Sequence, residues 1–126
     1  MGPDTTAAFC DGAIDVEPLF YANQVDLALW GHVHNTLVTC PVFNGTCQTP
    51  GADGFAGTVH AVIGNGGQDL SGIPPVAPPW QVYMGNEFGW SYFDANATHL
   101  AMFLLDDATN ATSFAFTLTR PAAAMF

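Results

Sequence analysis

Val25-Asp26-Leu27-Ala28-Leu29-Trp30-Gly31-His32-Val33-His34-Asn35 constrains this chain more than any other stretch: an apolar run stops at a glycine, and two histidines follow with one residue between them. A run of this length ended by a breaker fits a buried strand, most naturally in a parallel or mixed sheet. The carboxyl end of such a strand is where open α/β sheets place their ligands. Gly31 is expected to carry the turn, where a side chain would obstruct it. If His32 to His34 is extended, both imidazoles project to the same side, because strand side chains alternate with period two. The spacing admits two readings: a pair of metal ligands, or two ordinary residues at a strand edge. A zinc-type site needs three or four protein ligands and a two-metal site more. No acidic residue stands at a spacing that marks it as the next ligand.

With 126 residues the chain has room for one domain with a modest core. Residues 1–14 are expected to be an irregular lead-in, 15–119 the body of the domain and 120–126 a tail. Asp15 is a candidate cap for a short helix whose apolar stripe is Val16, Leu19 and Phe20, with Pro18 in the first turn. Helix followed by buried strand is half of an α/β unit, and nothing upstream supplies the parallel neighbour it needs. After His34 the chain is read as entering a turn-rich loop between Cys40 and Cys47, then coil through Thr49 to Gly54. Thr58 to Ile63 is a second buried-type strand, ended by Gly64-Asn65-Gly66-Gly67. Asp69 to Pro79, with Pro74, Pro75, Pro78 and Pro79, is a surface loop. The remainder reads as an antiparallel meander of Gly89–Asp94, Thr98–Leu105 and Ser113–Thr119. The last strand alternates, Phe114, Phe116 and Leu118 inward. The middle one is apolar on both faces and wants cover on both, which so short a chain struggles to provide.

Charge narrows the function. Arg120 is the single basic residue besides the histidines, and the formal net charge is -10. That removes the ordinary electrostatic route to nucleic acid or to an anionic membrane surface. It also opposes an anionic substrate, unless bound cations reverse the local potential. No segment is long and apolar enough to span a membrane.

Asn44-Gly45-Thr46, Asn96-Ala97-Thr98 and Asn110-Ala111-Thr112 are glycosylation acceptors beside turn chemistry, and together they point to a secreted or vacuolar history. In that compartment a Cys40–Cys47 disulfide is expected, contributing roughly 2.5 kcal/mol by loop entropy. Cys10 is then a free thiol or pairs outside this chain. Met1 to Thr6 lacks the charge and apolar core of a signal peptide, so the natural protein is expected to begin further upstream.

The remaining candidates read as structural. Gly64-Asn65-Gly66-Gly67 lacks the lysine of a P-loop and the spacing of a dinucleotide fingerprint, which leaves a strand-ending turn. His60 is expected as a packed, hydrogen-bonded core residue, His99 near the surface, and Asp106-Asp107 as a solvated turn. Ser71 and Ser91 have no histidine and carboxylate at a telling spacing, so a serine nucleophile has no support.

The stretch from Val25 to Asn35, followed by Thr39-Cys40-Pro41-Val42-Phe43-Asn44-Gly45-Thr46-Cys47, resembles the last conserved block of the plant-type purple acid phosphatases, which are secreted binuclear metallophosphoesterases. The resemblance continues through Val59 to Gly67, Glu87 to Leu100 and Ser113 to Leu118, several blocks in the right order. It implies an α/β fold: the carboxy-terminal portion of a four-layer sandwich of two mixed sheets flanked by helices, mostly β, with an antiparallel meander at its end. It implies His32 as ligand to a divalent zinc, manganese or iron and His34 as ligand to a ferric ion, Fe(III). The implied chemistry is hydrolysis of a phosphate monoester by a metal-bound hydroxide, the ions offsetting the phosphoryl charge. The family's other ligands and its leaving-group histidines sit on earlier blocks that have no counterpart here. The family's usual Tyr-Glu-Arg after the histidine pair is replaced by Thr36-Leu37-Val38. The chain alone is therefore expected to be inactive, its parent an acid phosphatase. The rival expectation is a small secreted β-rich glycoprotein whose histidine pair is structural or holds one metal weakly, without catalysis.

Overall fold

The computed structural model describes residues 16–122. Asp15 as a helix cap and the placement of Cys10 lie outside the described residues. A helix, α1 (16–22), leads into nine strands: β1 (Leu27–Trp30), β2 (Thr36–Thr39), β3 (Val42–Phe43), β4 (Thr46–Cys47), β5 (Val59–Ile63), β6 (Gln81–Gly85), β7 (Gly89–Ala95), β8 (His99–Asp106) and β9 (Thr112–Thr119). They form a four-stranded mixed sheet in the order β1-β5-β2-β6, a small β3-β4 hairpin, and a three-stranded antiparallel meander β7-β8-β9.

The apolar runs at β1 and β5 find each other. They pair in parallel, Leu27 opposite Val59 and Trp30 opposite Val62. The parallel neighbour that β1 needs is thus supplied from downstream. β5 then pairs antiparallel with β2, and β2 with β6. Two of these strands correct the expectation from sequence. Thr36–Thr39 is not loop but a central strand buried at every position. Gln81–Gly85 is the far edge of the sheet rather than lead-in to the meander.

Strand alternation sorts the side chains into two faces. Val38, Val59 and Ala61 of the mixed sheet pack on Met102 and Leu104 of β8, with Phe114, Phe116 and Leu118 of β9 closing over them. Tyr83 stacks on Phe114 with ring centroids 4.6 Å apart. On the opposite face Leu37, Val42, Val62 and Trp80 cluster. There α1 lays Phe20 over Trp30 and His60, and Tyr21 against Phe43 at 4.2 Å. The layers run helix, mixed sheet, meander. The meander does not reach across β1: Leu29 is 48% exposed, so the strand expected to be fully buried keeps one apolar side chain uncovered. The outer face of β8 is only half-buried, Phe103 stacking on its exposed cross-strand neighbour Tyr92 at 4.7 Å.

Two fastenings secure the fold, one within a hairpin and one between layers. Cys40 and Cys47 are disulfide-bonded across the β3-β4 hairpin, with Cα atoms 5.6 Å apart. Arg120, beyond β9, donates to Asp26 Oδ1 at 2.8 Å and to the Gln24 carbonyl at 3.1 Å, while its guanidinium lies 4.9 Å from the Phe55 ring centroid. The guanidinium side chain is 12% exposed against 40% for Asp26, so solvent screens the pair only in part. Arg120→Gln is expected to cost about 2 kcal/mol, the range for hydrogen bonds to a charged group, and urea unfolding measures it.

Candidate functional site

β1 ends at Trp30 and the chain bends at once. The Val33 N–H donates to the Gly31 carbonyl at 2.9 Å and the Asn35 N–H to the Val33 carbonyl at 3.0 Å, two consecutive three-residue turns. His32 sits at the centre of the first with φ 72°, a conformation rarely taken by a residue with a Cβ. The extended geometry expected for His32 to His34 is therefore not what forms. Gly31 does not carry the bend either: a Cβ there would meet open space. Strain of this kind at a non-glycine residue is typical of sites whose surroundings over-determine the backbone.

The surroundings are the loop after β5. At Gly64 a Cβ would lie 1.9 Å from the Val33 carbonyl oxygen, so the two loops touch backbone to backbone. Gly64 N–H donates to the Asn35 carbonyl at 3.1 Å. Further along, the Ser71 hydroxyl accepts the His34 main-chain N–H at 2.9 Å and the Ser71 N–H donates to the His34 carbonyl at 2.8 Å. Asp69 takes the remaining contact, its Oδ1 pairing with His34 Nδ1. The Gly64-Asn65-Gly66-Gly67 turn thus ends its strand and also packs against the histidine loop.

Serine, histidine and aspartate do meet here, although no spacing in the sequence announces it. Their wiring is not that of a nucleophilic triad: Ser71 Oγ binds the main chain of His34, and no hydrogen bond joins it to the imidazole. Nothing in the sequence could have found Asp69 or Ser71, since they lie 35 and 37 residues from His34. His32 is exposed and His34 half-buried at the carboxyl end of β1.

The other candidates lie elsewhere. His60 is buried under α1 at 1% exposure, its Nδ1 accepting the Trp30 indole N–H at 2.9 Å; burial pushes its pKa down to about 4. His99 is exposed at the start of β8, beside the Thr98 hydroxyl at 2.6 Å. Asn44, Asn96 and Asn110 occupy exposed positions at or beside the tips of the β3-β4, β7-β8 and β8-β9 hairpins. At Asn96 the side-chain oxygen accepts the main-chain N–H groups of Thr98 and His99, which organises that turn.

The chemistry of the donor set limits what the site can hold. Imidazole suits zinc and iron, so His32 and His34 are of the right type for such a centre. Among the described residues no group of three or more His, Cys, Asp or Glu side chains comes together. The pair fits one side of a metal centre and not a closed one.

A mixed sheet that delivers two histidines from the carboxyl end of a strand, packed on an antiparallel meander, has the architecture of a metallophosphoesterase-type domain. Residues 57–114 match the family model described as iron/zinc purple acid phosphatase-like protein C. The fold is similar to that of a purple acid phosphatase from yellow lupin (Lupinus luteus) seeds, with a TM-score of 0.80 and 27% identity over 87% of this chain and 20% of that one. In sequence the chain is 35% identical to probable inactive purple acid phosphatase 24 of Arabidopsis thaliana, over 63% of this chain and 14% of the relative. It is 29% identical to a nucleotide pyrophosphatase/phosphodiesterase of Hordeum vulgare, over 68% of this chain and 24% of the relative. The chain is thus similar to the carboxy-terminal part of purple acid phosphatases, and it spans 14% of the length of the Arabidopsis relative.

Proposed function

We propose that this chain supplies His32 and His34 as two metal ligands to the binuclear centre of an acid phosphatase, a hydrolase of phosphate monoesters, and that the chain alone does not turn over substrate. The observation that carries this is the pair of histidines on a strained loop at the carboxyl end of β1, braced by a second loop. The centre, a ferric ion with zinc, manganese or divalent iron held in part by His32 and His34, would supply Lewis acidity to activate water and the positive charge to hold a phosphoryl group. This chain's part is to present imidazole nitrogen; its acidic surface otherwise repels phosphate. Secretion or vacuolar delivery and glycosylation at Asn44, Asn96 and Asn110 belong to the same reading, as does the absence of nucleic-acid and membrane partners. Several relatives are named probable inactive purple acid phosphatases, which agrees with a catalytically silent chain.

Zinc titrated into the purified chain, followed by chelator competition, tests the ligand role. Weak binding is expected, at least tenfold weaker again in the His32→Ala/His34→Ala double variant, because a lone pair of imidazoles lacks the three or four ligands of a closed site. No hydrolysis of p-nitrophenyl phosphate is expected with iron and zinc added. Equal zinc affinity in the double variant sinks the ligand role, and turnover by the purified chain overturns the claim of inactivity.

A further inference from the structure

A single short segment of the loop after β5 grips His34 at its ring and on both sides of its main chain. Asp69 Oδ1 pairs with ring Nδ1, and Ser71 holds the main chain twice, through its hydroxyl at 2.9 Å and its N–H at 2.8 Å. The segment is itself pinned. Gly72 N–H donates to Asn86 Oδ1 at 2.9 Å, and the Gly72 carbonyl accepts Asn35 Nδ2 at 3.2 Å. Asn35 is 1% exposed, so the brace is anchored in the interior next to β2.

A neutral imidazole carries one N–H, and the partner that accepts it decides which nitrogen keeps the lone pair. With Asp69 accepting from Nδ1, Nε2 is left as the ligating atom. Second-shell carboxylates of this kind orient metal-bound histidines and raise their basicity. His32 has no such partner among the described residues, so the two histidines differ in how firmly they are held.

We propose that Asp69 and Ser71 are positioning residues for His34, Asp69 by selecting Nε2 as its ligand atom and Ser71 by holding its backbone in the turn. This rests on the ligand role of His34 proposed above. It assigns the loop at 69–72, which the sequence presents only as a proline-flanked surface loop, a part in the site. The Asp69 carboxylate is 70% exposed, so changing it removes the contact without opening the core.

The test is long-range nitrogen–proton correlation on the labelled full chain at pH 8, with zinc affinity measured by chelator competition. His34 is expected as the Nδ1–H tautomer. His60, whose Nδ1 accepts from Trp30, is expected as the Nε2–H tautomer and serves as an internal reference. In Asp69→Asn the carboxamide can donate to Nδ1, so His34 is expected to change tautomer while His60 does not. Zinc affinity should fall about tenfold or more, and Asp69→Glu should restore it in part. Ser71→Ala should weaken zinc binding with the tautomer unchanged.

An unchanged tautomer with unchanged affinity in Asp69→Asn overturns the proposal. Affinity lost without a tautomer change also overturns it, because Asp69 is then a ligand itself. A changed tautomer with unchanged affinity leaves Asp69's hold on the ring intact and defeats instead the ligand role of His34.

Discussion

Gly64→Ala is expected to destabilise the chain by about 3 kcal/mol, whereas Gly31→Ala changes stability by less than about 1 kcal/mol. The contrast inverts the ranking that the motif suggests. Gly31 stands between strand and histidines, where a turn-making glycine is anticipated, yet its missing Cβ faces open space. At Gly64 the added carbon falls 1.9 Å from the Val33 carbonyl oxygen and 2.8 Å from its carbon. Both are main-chain atoms in a loop already bent by two tight turns, so neither can swing aside as a side-chain tip would. Relief requires the histidine loop to lift from the end of β5, breaking the Gly64 N–H bond to Asn35. Urea unfolding of the two variants measures the difference. Comparable losses in both would show that the two loops do not press on each other as described.

His60 is expected to make stability fall steeply in mild acid. Its folded pKa is about 4 against an ordinary 6.5, and the cause is burial. Between those values the unfolded chain binds a proton that the folded chain refuses, so stability rises with pH across the window. The contribution is complete above pH 6.5 and is lost as pH drops toward 4, about 3 kcal/mol in all. Geometry supports the direction independently: Nδ1 accepts the Trp30 indole N–H, which a protonated ring cannot do. His60→Gln keeps an acceptor for the indole and removes the titrating group. Denaturant midpoints measured from pH 7.5 to 4.5 should fall for the parent and stay flatter for the variant. Parallel decline would assign the acid sensitivity to other groups.

The apolar segments of this fold announce themselves. Val59–Ile63 is short, rich in β-branched residues and ended by glycines, and Phe114, Phe116 and Leu118 alternate, so β5 and β9 are readable from pattern alone. β2 is not readable. Thr36–Thr39 is four residues long, half of them threonine, and wedged between the histidines and Cys40-Pro41; only its position between β5 and β6 makes it a strand. β6 follows a proline-rich loop and its apolar run is only Val82-Tyr83-Met84, so tertiary pairing again decides. At the site the histidines carry a recognisable motif. Their supports, Gly64, Asp69 and Ser71, are brought in by the parallel β1-β5 pairing, and contacts across a sheet leave no spacing to read.

The Arg120 fastening has a kinetic meaning as well. It joins residues 94 apart in sequence, whereas the β7-β8 and β8-β9 turns close over a few residues. Loop-closure entropy makes so distant a contact slow to reward, so it belongs to the late side of the folding barrier. Interactions made after the barrier alter the rate of escape from the native state more than the rate of arrival. The one guanidinium in the chain is thus a latch: it sets how long the folded sheets stay together once they have met.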